Sequence, residues 1–377
     1  MSEFQISNYK NEQVIEYSLN NSSELIDKID LSLKTKNDVI NENDINVLVN
    51  ELNKVLDNVS DIIDSNSYEK KFGVLDKDTF FSKIENIIKR INNFEINKAM
   101  ILLDEVLQYD ITNDYRMIIN EAKLKLILYN GDQAKILLQG LCDFLKNNNV
   151  KSKHLIIMND EETRKLKTVK NEIIFNVIKL LENKDIDTSQ HIRRTSRYVG
   201  ILANIIKTKN KYMDICTPQY IENLVLSSLF HDIGKLIISR EILCKPSRLT
   251  TEEFEYMKTH TVIGSEAILK SFDGIVDELF LNITRDVAKY HHEKWNGSGY
   301  PMRLSGEDIP LSARIVAIAD VYDALSAKRC YKEAMPIDKV FALMEEWKGT
   351  HFDPYLLDEF LSERNLLKDL TELFGRL

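Results

Sequence analysis

Five of the seven histidines fall between residues 191 and 292, at His191, His231, His260, His291 and His292, the last two adjacent. Whatever this chain folds into has to find partners for them. "DTSQH" sets Asp187 and His191 four residues apart, so both face the same way on a helix. "HDIGK" sets His231 and Asp232 side by side after the apolar run "LVLSSLF", where ionisable groups need partners. "IVAIADVYDAL" places Asp320 inside an apolar helix, where an unpaired carboxylate is costly and a metal is a natural counter-charge. His260 has no such neighbour in sequence.

Imidazole and carboxylate together suit first-row metals such as Mn, Fe or Zn, whereas Ca or Mg alone would favour oxygen throughout. These donors are too many for one ion. Two ions sharing a bridging carboxylate account for them, and such a pair activates water and clamps a phosphoryl group from both sides.

Composition sets the surroundings. The chain has 377 residues, more than one ordinary domain needs, which suggests two. With 44% hydrophobic residues but only 12 Gly and 6 Pro, it reads as all-α. A net charge of −9 disfavours a nucleic-acid polymer or an anionic membrane as partner, but not a small phosphorylated ligand. The four cysteines, Cys142, Cys216, Cys244 and Cys330, form no CxxC, so a reduced, cytoplasmic setting is expected. No apolar run approaches the ~18 residues of a membrane span, and the polar start does not read as a signal peptide.

Before the histidines, "DINVLVNELNKVLDNVSDIID" (44 to 64) and "DKDTFFSKIENIIKRI" (76 to 91) show helical spacing, the second after an Asp-rich start that suits a helix N-terminus. Ala-x-Ile-Leu-Leu recurs at Ala99 and Ala134, 35 residues apart, with a helix between. That period resembles a tetratricopeptide repeat, and a helical bundle with a chance echo is the other reading. Residues 1–150 are expected to form a helical regulatory or interaction module and 151–165 a linker. Within the following stretch, "LIIMNDEETR" has a short likeness to the start of a receiver domain, but too few residues follow for such a domain. Residues 166–377 are expected to be the catalytic domain.

From about 170 to 377 the chain resembles the HD-GYP family, a branch of the HD-domain metal-dependent phosphohydrolases. The resemblance runs in order through "HIRRTSRYVG", "HDIGKL", "KPSRLTTEEFEYMKTHTVIGSEAIL", "HHEKWNGSGYP", "ARIVAIADVYDALSAKRCYKEA" and "GTHFDP". It implies a helical domain that hydrolyses cyclic di-GMP to linear pGpG, and in some members on to GMP, by a hydroxide held between two metals, with Fe or Mn expected. Carried over by position, the ligands would be His191, His231, Asp232, His260, His291, His292 and Asp320, with Asp232 bridging. Some members hold a third metal with a Glu four residues before the first His. Asp187 stands there, one methylene shorter, so two ions are expected and Asp187 is the ligand for any third. Lys235 would contact the scissile phosphate. Arg329 and Lys332 would hold phosphate oxygens, and Tyr300 and Asp323 would line the nucleotide pocket.

The family has Asp after the Trp of its loop, where this chain has Asn296, and both residues favour a turn before Gly297. Trp295 is read as a packing anchor, His351 as structural and His154 as a surface residue. The competing readings are a cyclic di-GMP sensor with little turnover, a hydrolase of another cyclic dinucleotide, and di-iron oxygenase chemistry, against which Lys235 and Arg329 speak. The expected partners are cyclic di-GMP and, through the N-terminal helices, a protein such as a diguanylate cyclase. A homodimer is compatible with the sequence.

Overall fold

The computed structural model describes residues 42–64, 76–127, 131–147, 170–181, 186–328 and 334–374, less the single positions 94, 110, 112, 179, 210 and 246. The expected linker at 151–165, His154, Cys330, Arg329 and Lys332 lie outside the described residues. No strand occurs among the described residues, only isolated bridges at Asn296–Ser305 and Lys348–Phe352, so the all-α expectation holds. Two compact units emerge: Lys54–Asn176 with Gly274–Asp277, and the remainder.

In the first unit the amphipathic stretches become α1 (Glu42–Asp64), which begins outside it, and α2 (Lys77–Asn92). Asp76 starts α2, its carboxylate accepting from the backbone N–H groups of Asp78 and Thr79, the capping expected of an Asp-rich start. There follow α3 (Ile96–Leu107), α4 (Asn113–Ile127) and α5 (Gly131–Asn147). Helix α2 packs against both α3 and α5, and α4 joins those two, so the four helices form a closed ring. The Ala-x-Ile-Leu-Leu echo therefore puts Ala99, Leu103, Ala134 and Leu138 into one shared core. A tetratricopeptide stack would instead set equivalent helices side by side in successive layers. The bundle reading is the one the packing matches.

The second unit carries the histidines. Its described helices are α6 (Ile186–Lys207), α7 (Pro218–Ser227), α8 (Arg240–Leu243), α9 (Thr251–Phe272), α10 (Glu278–Tyr290), α11 (Leu311–Ser326), α12 (Ile337–Glu346), α13 (Pro354–Leu361) and α14 (Arg364–Phe374). Helix α11 is apolar nearly all round and buried along its length, packing on α6 through Ile315, Ile318, Ala319 and Tyr322 against Tyr198, Val199, Leu202 and Ile206 of the same core. Burying a side chain of Leu size contributes about 1.5–3 kcal/mol, so this core fixes the two helices firmly. Helix α9 opens with a capping box, Thr250 and Glu253 each bonding the other's backbone N–H, and then runs along α10.

Candidate metal centre

Five chain segments converge on one point. Helix α6 supplies His191 from its second turn and α11 supplies Asp320. After α7 the chain tightens into a 3₁₀ turn, Ser228–Phe230, and delivers His231 and Asp232 before a second 3₁₀ segment, Ile233–Ile237. Helix α9 brings His260, and His291 and His292 follow the end of α10. Ligand-type atoms of Asp232, His260, His291 and His292 gather in one group within 4.8 Å of one another, and those of His191, His231 and Asp320 in a second.

Asp232 spans the two. Its Oδ1 lies 3.4 Å from His260 Nε2 and 3.7 Å from His291 Nε2, and its Oδ2 lies 3.2 Å from His231 Nε2. Asp320 Oδ1 stands 3.0 Å from His191 Nε2 and 4.0 Å from His231 Nε2.

The other ring nitrogens explain why these contacts suit metals. His231 Nδ1 donates to the Ser228 carbonyl at 2.7 Å, His260 Nδ1 to Met257 at 2.6 Å and His291 Nδ1 to Val287 at 2.9 Å. His191 Nδ1 donates to the Asp323 carboxylate at 2.7 Å. A carbonyl only accepts, so each of these nitrogens holds the proton and leaves Nε2 with a lone pair. Four lone pairs then face carboxylate oxygens at 3.0–3.7 Å, a repulsive arrangement unless a cation lies between. Donors sharing a first-row ion at ~2.1 Å each stand roughly 3–3.5 Å apart, which is this spacing. Within the buried cluster His231 Nε2 and Asp232 Oδ1 have no hydrogen-bond partner, so the residues present fit a metal pair.

Charge agrees. Burial lowers the His260 imidazole to about 4, and burial with the neighbouring His231 lowers His291 to about 3. Burial and His291 push His292 well below its usual range. Burial also pulls on His231, but the adjacent Asp232 carboxylate outweighs it and raises it. Burial would raise Asp232, yet Lys235 and His231 hold it well below the carboxylate range. Asp320 is likewise held low against burial, by its contact with His191. Near neutral pH His260, His291 and His292 are thus neutral and Asp232 and Asp320 ionised, the protonation states that ligation requires.

Other expected residues sit differently. Lys235 Nζ lies 2.6 Å from Asp232 Oδ2 with its side chain partly open to solvent. Tyr300 lies over His292, ring centroids 4.8 Å apart. Asp187 lies in the first turn of α6, and its side chain is outside those described. Asp323, expected to line the nucleotide pocket, is instead fully buried behind His191, taken by His191 Nδ1 and by Arg194 Nε at 2.7 Å. It fixes the tautomer and orientation of His191, as carboxylates behind ligating histidines do.

Arg194 was not singled out from the sequence, although it lies one turn after His191 as Asp323 lies one turn after Asp320. Glu293 was also missed. Its carboxylate accepts from the Met302 backbone N–H at 2.6 Å and ties down the end of the "HHEKWNGSGYP" loop. Gly299 lets that loop close, since a Cβ there would meet Lys294 N at 2.4 Å. Asn296 Oδ1 accepts from the Ser298 N–H and hydroxyl, the turn expected of it. The loop's Trp295 and Asn296 N–H groups donate to the carbonyls of His351 and Thr350, so "GTHFDP" braces it through backbone.

A helical domain that gathers paired His/Asp groups around a shared carboxylate is the architecture of a metal-centred HD domain, and residues 177–356 match the HD domain family model. The C-terminal half of the chain carries an HD domain. It is 44% identical over 197 residues to a cyclic di-GMP phosphodiesterase of Vibrio cholerae, covering 52% of this chain and 40% of that protein. To a probable cyclic di-GMP phosphodiesterase of the same organism it is 41% identical over 212 residues, covering 56% and 48%. A 3′3′-cGAMP-specific phosphodiesterase of Vibrio cholerae is 36% identical over 211 residues, covering 54% and 38%. The matched segment spans half or less of these relatives. Among the described residues no helix is long and apolar enough to cross a membrane.

Proposed function

We propose that the protein is a metal-dependent phosphodiesterase that opens cyclic di-GMP to linear pGpG, with GMP as the product of any further cleavage. The observation that carries this reading is Asp232, whose two oxygens face two separate histidine groups. We assign the metal sites to His191, His231, Asp232, His260, His291, His292 and Asp320, for two divalent ions such as Fe or Mn, with Asp187 beside any third. When bound, the pair supplies an acidified water and Lewis-acid support for the phosphoryl oxygens.

The chain's own residues do the rest. Water adds to phosphorus, the bond from phosphorus to the 3′ oxygen breaks, and that oxygen takes a proton. Lys235 keeps Asp232 ionised and is placed to offset charge on the phosphoryl group. Arg329 and Lys332 clamp its oxygens, and Tyr300 lines the substrate side. Residues 1–150 form a regulatory module that binds a protein partner, with a diguanylate cyclase as candidate, in a cytoplasmic protein that is free to dimerise. A chain beginning at Leu166 is expected to fold, keep its metals and cleave at an altered rate. Full metal occupancy without activity would refute that division.

A second reading, hydrolysis of 3′3′-cGAMP, is favoured by the relatives named for that substrate. A panel of cyclic dinucleotides against anaerobically purified protein, with metal content measured on the same sample, tests both. Formation of pGpG from cyclic di-GMP is expected. Tight binding of cyclic di-GMP without product would make the protein a sensor.

A further inference from the structure

Phe254 is the one aromatic side chain exposed to solvent among the described residues, at 45%. A lone surface Phe needs no explanation. This one stands in the first turn of α9, the helix that carries His260. Its ring meets Tyr300 edge-on, centroids 6.4 Å apart, and Tyr300 lies over His292. The Lys258 ammonium sits 4.8 Å from the Phe254 centroid and 5.6 Å from that of Tyr300, within cation–π range of both. A wall of rings therefore runs outward from the metal cluster, His292 to Tyr300 to Phe254, with a cation between the outer two.

The chemistry of the surroundings narrows what this wall receives. Glu252, Glu253 and Glu255 flank Phe254 in sequence, and Glu255 holds Lys258 at 2.6 Å. Those carboxylates disfavour a phosphate at this edge and leave an uncharged aromatic group acceptable. A cyclic dinucleotide with one phosphodiester at the metals must place a base about one nucleotide away. Every base has a π face, and stacking on an aromatic side chain tolerates any of them.

We propose that Phe254 is the stacking platform for a nucleobase of the substrate, with Lys258 fixing the ring. This rests on the reading of the centre as a cyclic-dinucleotide hydrolase. Phe254 is then a specificity residue that distinguishes a nucleotide from a bare phosphate ester.

The test is calorimetric binding of GMP and of ribose 5-phosphate to the metal-loaded full-length protein, as wild type, Phe254→Ala and Phe254→Trp. GMP is expected to bind about ten-fold or more tightly than ribose 5-phosphate in wild type. The gap should close in Phe254→Ala and return in Phe254→Trp, with melting temperature and metal content unmoved. Equal binding of the two ligands by wild type, or a gap that survives in Phe254→Ala, overturns the proposal. On the same samples Phe254→Ala should raise KM for cyclic di-GMP and keep kcat. If wild type shows the base-dependent gap but cleaves no cyclic dinucleotide, the stacking platform stands and the proposed reaction fails.

Discussion

Gly234 lies so close to His260 that a Cβ on it would stand 2.0 Å from the His260 carbonyl oxygen. From the other side, a Cβ on Gly264 would come within 3.0 Å of the Gly234 nitrogen. Two glycines thus let the 3₁₀ segment after Asp232 press against α9, and that approach sets Asp232 Oδ1 3.4 Å from His260 Nε2. The Gly of "HDIGK" thus positions Asp232 against His260 through packing.

Gly234→Ala should therefore move Asp232 off His260. The obstacle is backbone, which cannot rotate away as a side chain can. A stability loss of about 1–3 kcal/mol is expected, together with reduced metal content. Melting temperature and metal analysis on one sample check this, and a fully loaded Gly234→Ala protein would refute it.

Asp323→Asn keeps an acceptor for His191 Nδ1 but removes the charge that makes the imidazole a stronger donor. Metal affinity should fall about 10- to 100-fold, with the fold kept. Asp323→Ala should cost more in stability, about 3–5 kcal/mol, because it also breaks the buried pair with Arg194. Metal titration and denaturant unfolding separate the two effects. Unchanged metal affinity in Asp323→Asn would show that the carboxylate does not act on His191.

These residues mark how far the sequence could be read. His191, His231, Asp232, His291, His292 and Asp320 announced themselves because each stood in a motif or an apolar run that left its polar group needing a partner. His260 looked the weakest, since its partners arrive only through the Gly234–Gly264 packing. Asp323 was expected to line the nucleotide pocket, and nothing in the sequence showed which side it faced. Spacing placed it one turn from Asp320, and only the packing of α11 on α6 turns it toward His191 and Arg194. In the N-terminal unit the echo at Ala99 and Ala134 left a repeat and a bundle both open, and both alanines face one core. It could not reveal that α2 would close the ring.

Glu293→Ala should loosen the loop that carries Tyr300, because it leaves the Met302 N–H without the carboxylate that accepts from it. About 1–3 kcal/mol of stability should be lost. Metals should stay, and KM for the cyclic dinucleotide should rise. Loss of metals would instead place Glu293 in support of His291 and His292.

Arg329→Ala and Lys332→Ala should weaken substrate binding and spare the metals, since both are assigned to phosphate oxygens. Equilibrium binding of cyclic di-GMP beside metal analysis checks this division. Metal loss in Arg329→Ala would contradict it.

The most direct test is the metal content of anaerobically purified wild-type and Asp232→Ala protein, measured with hydrolysis on the same samples. A carboxylate shared by two ions serves both, so wild type should hold about two ions per chain or more, and Asp232→Ala far fewer, with hydrolysis abolished. Wild-type protein that stays near zero after reconstitution with Fe or Mn, or Asp232→Ala protein that keeps both ions, would contradict a centre built around Asp232.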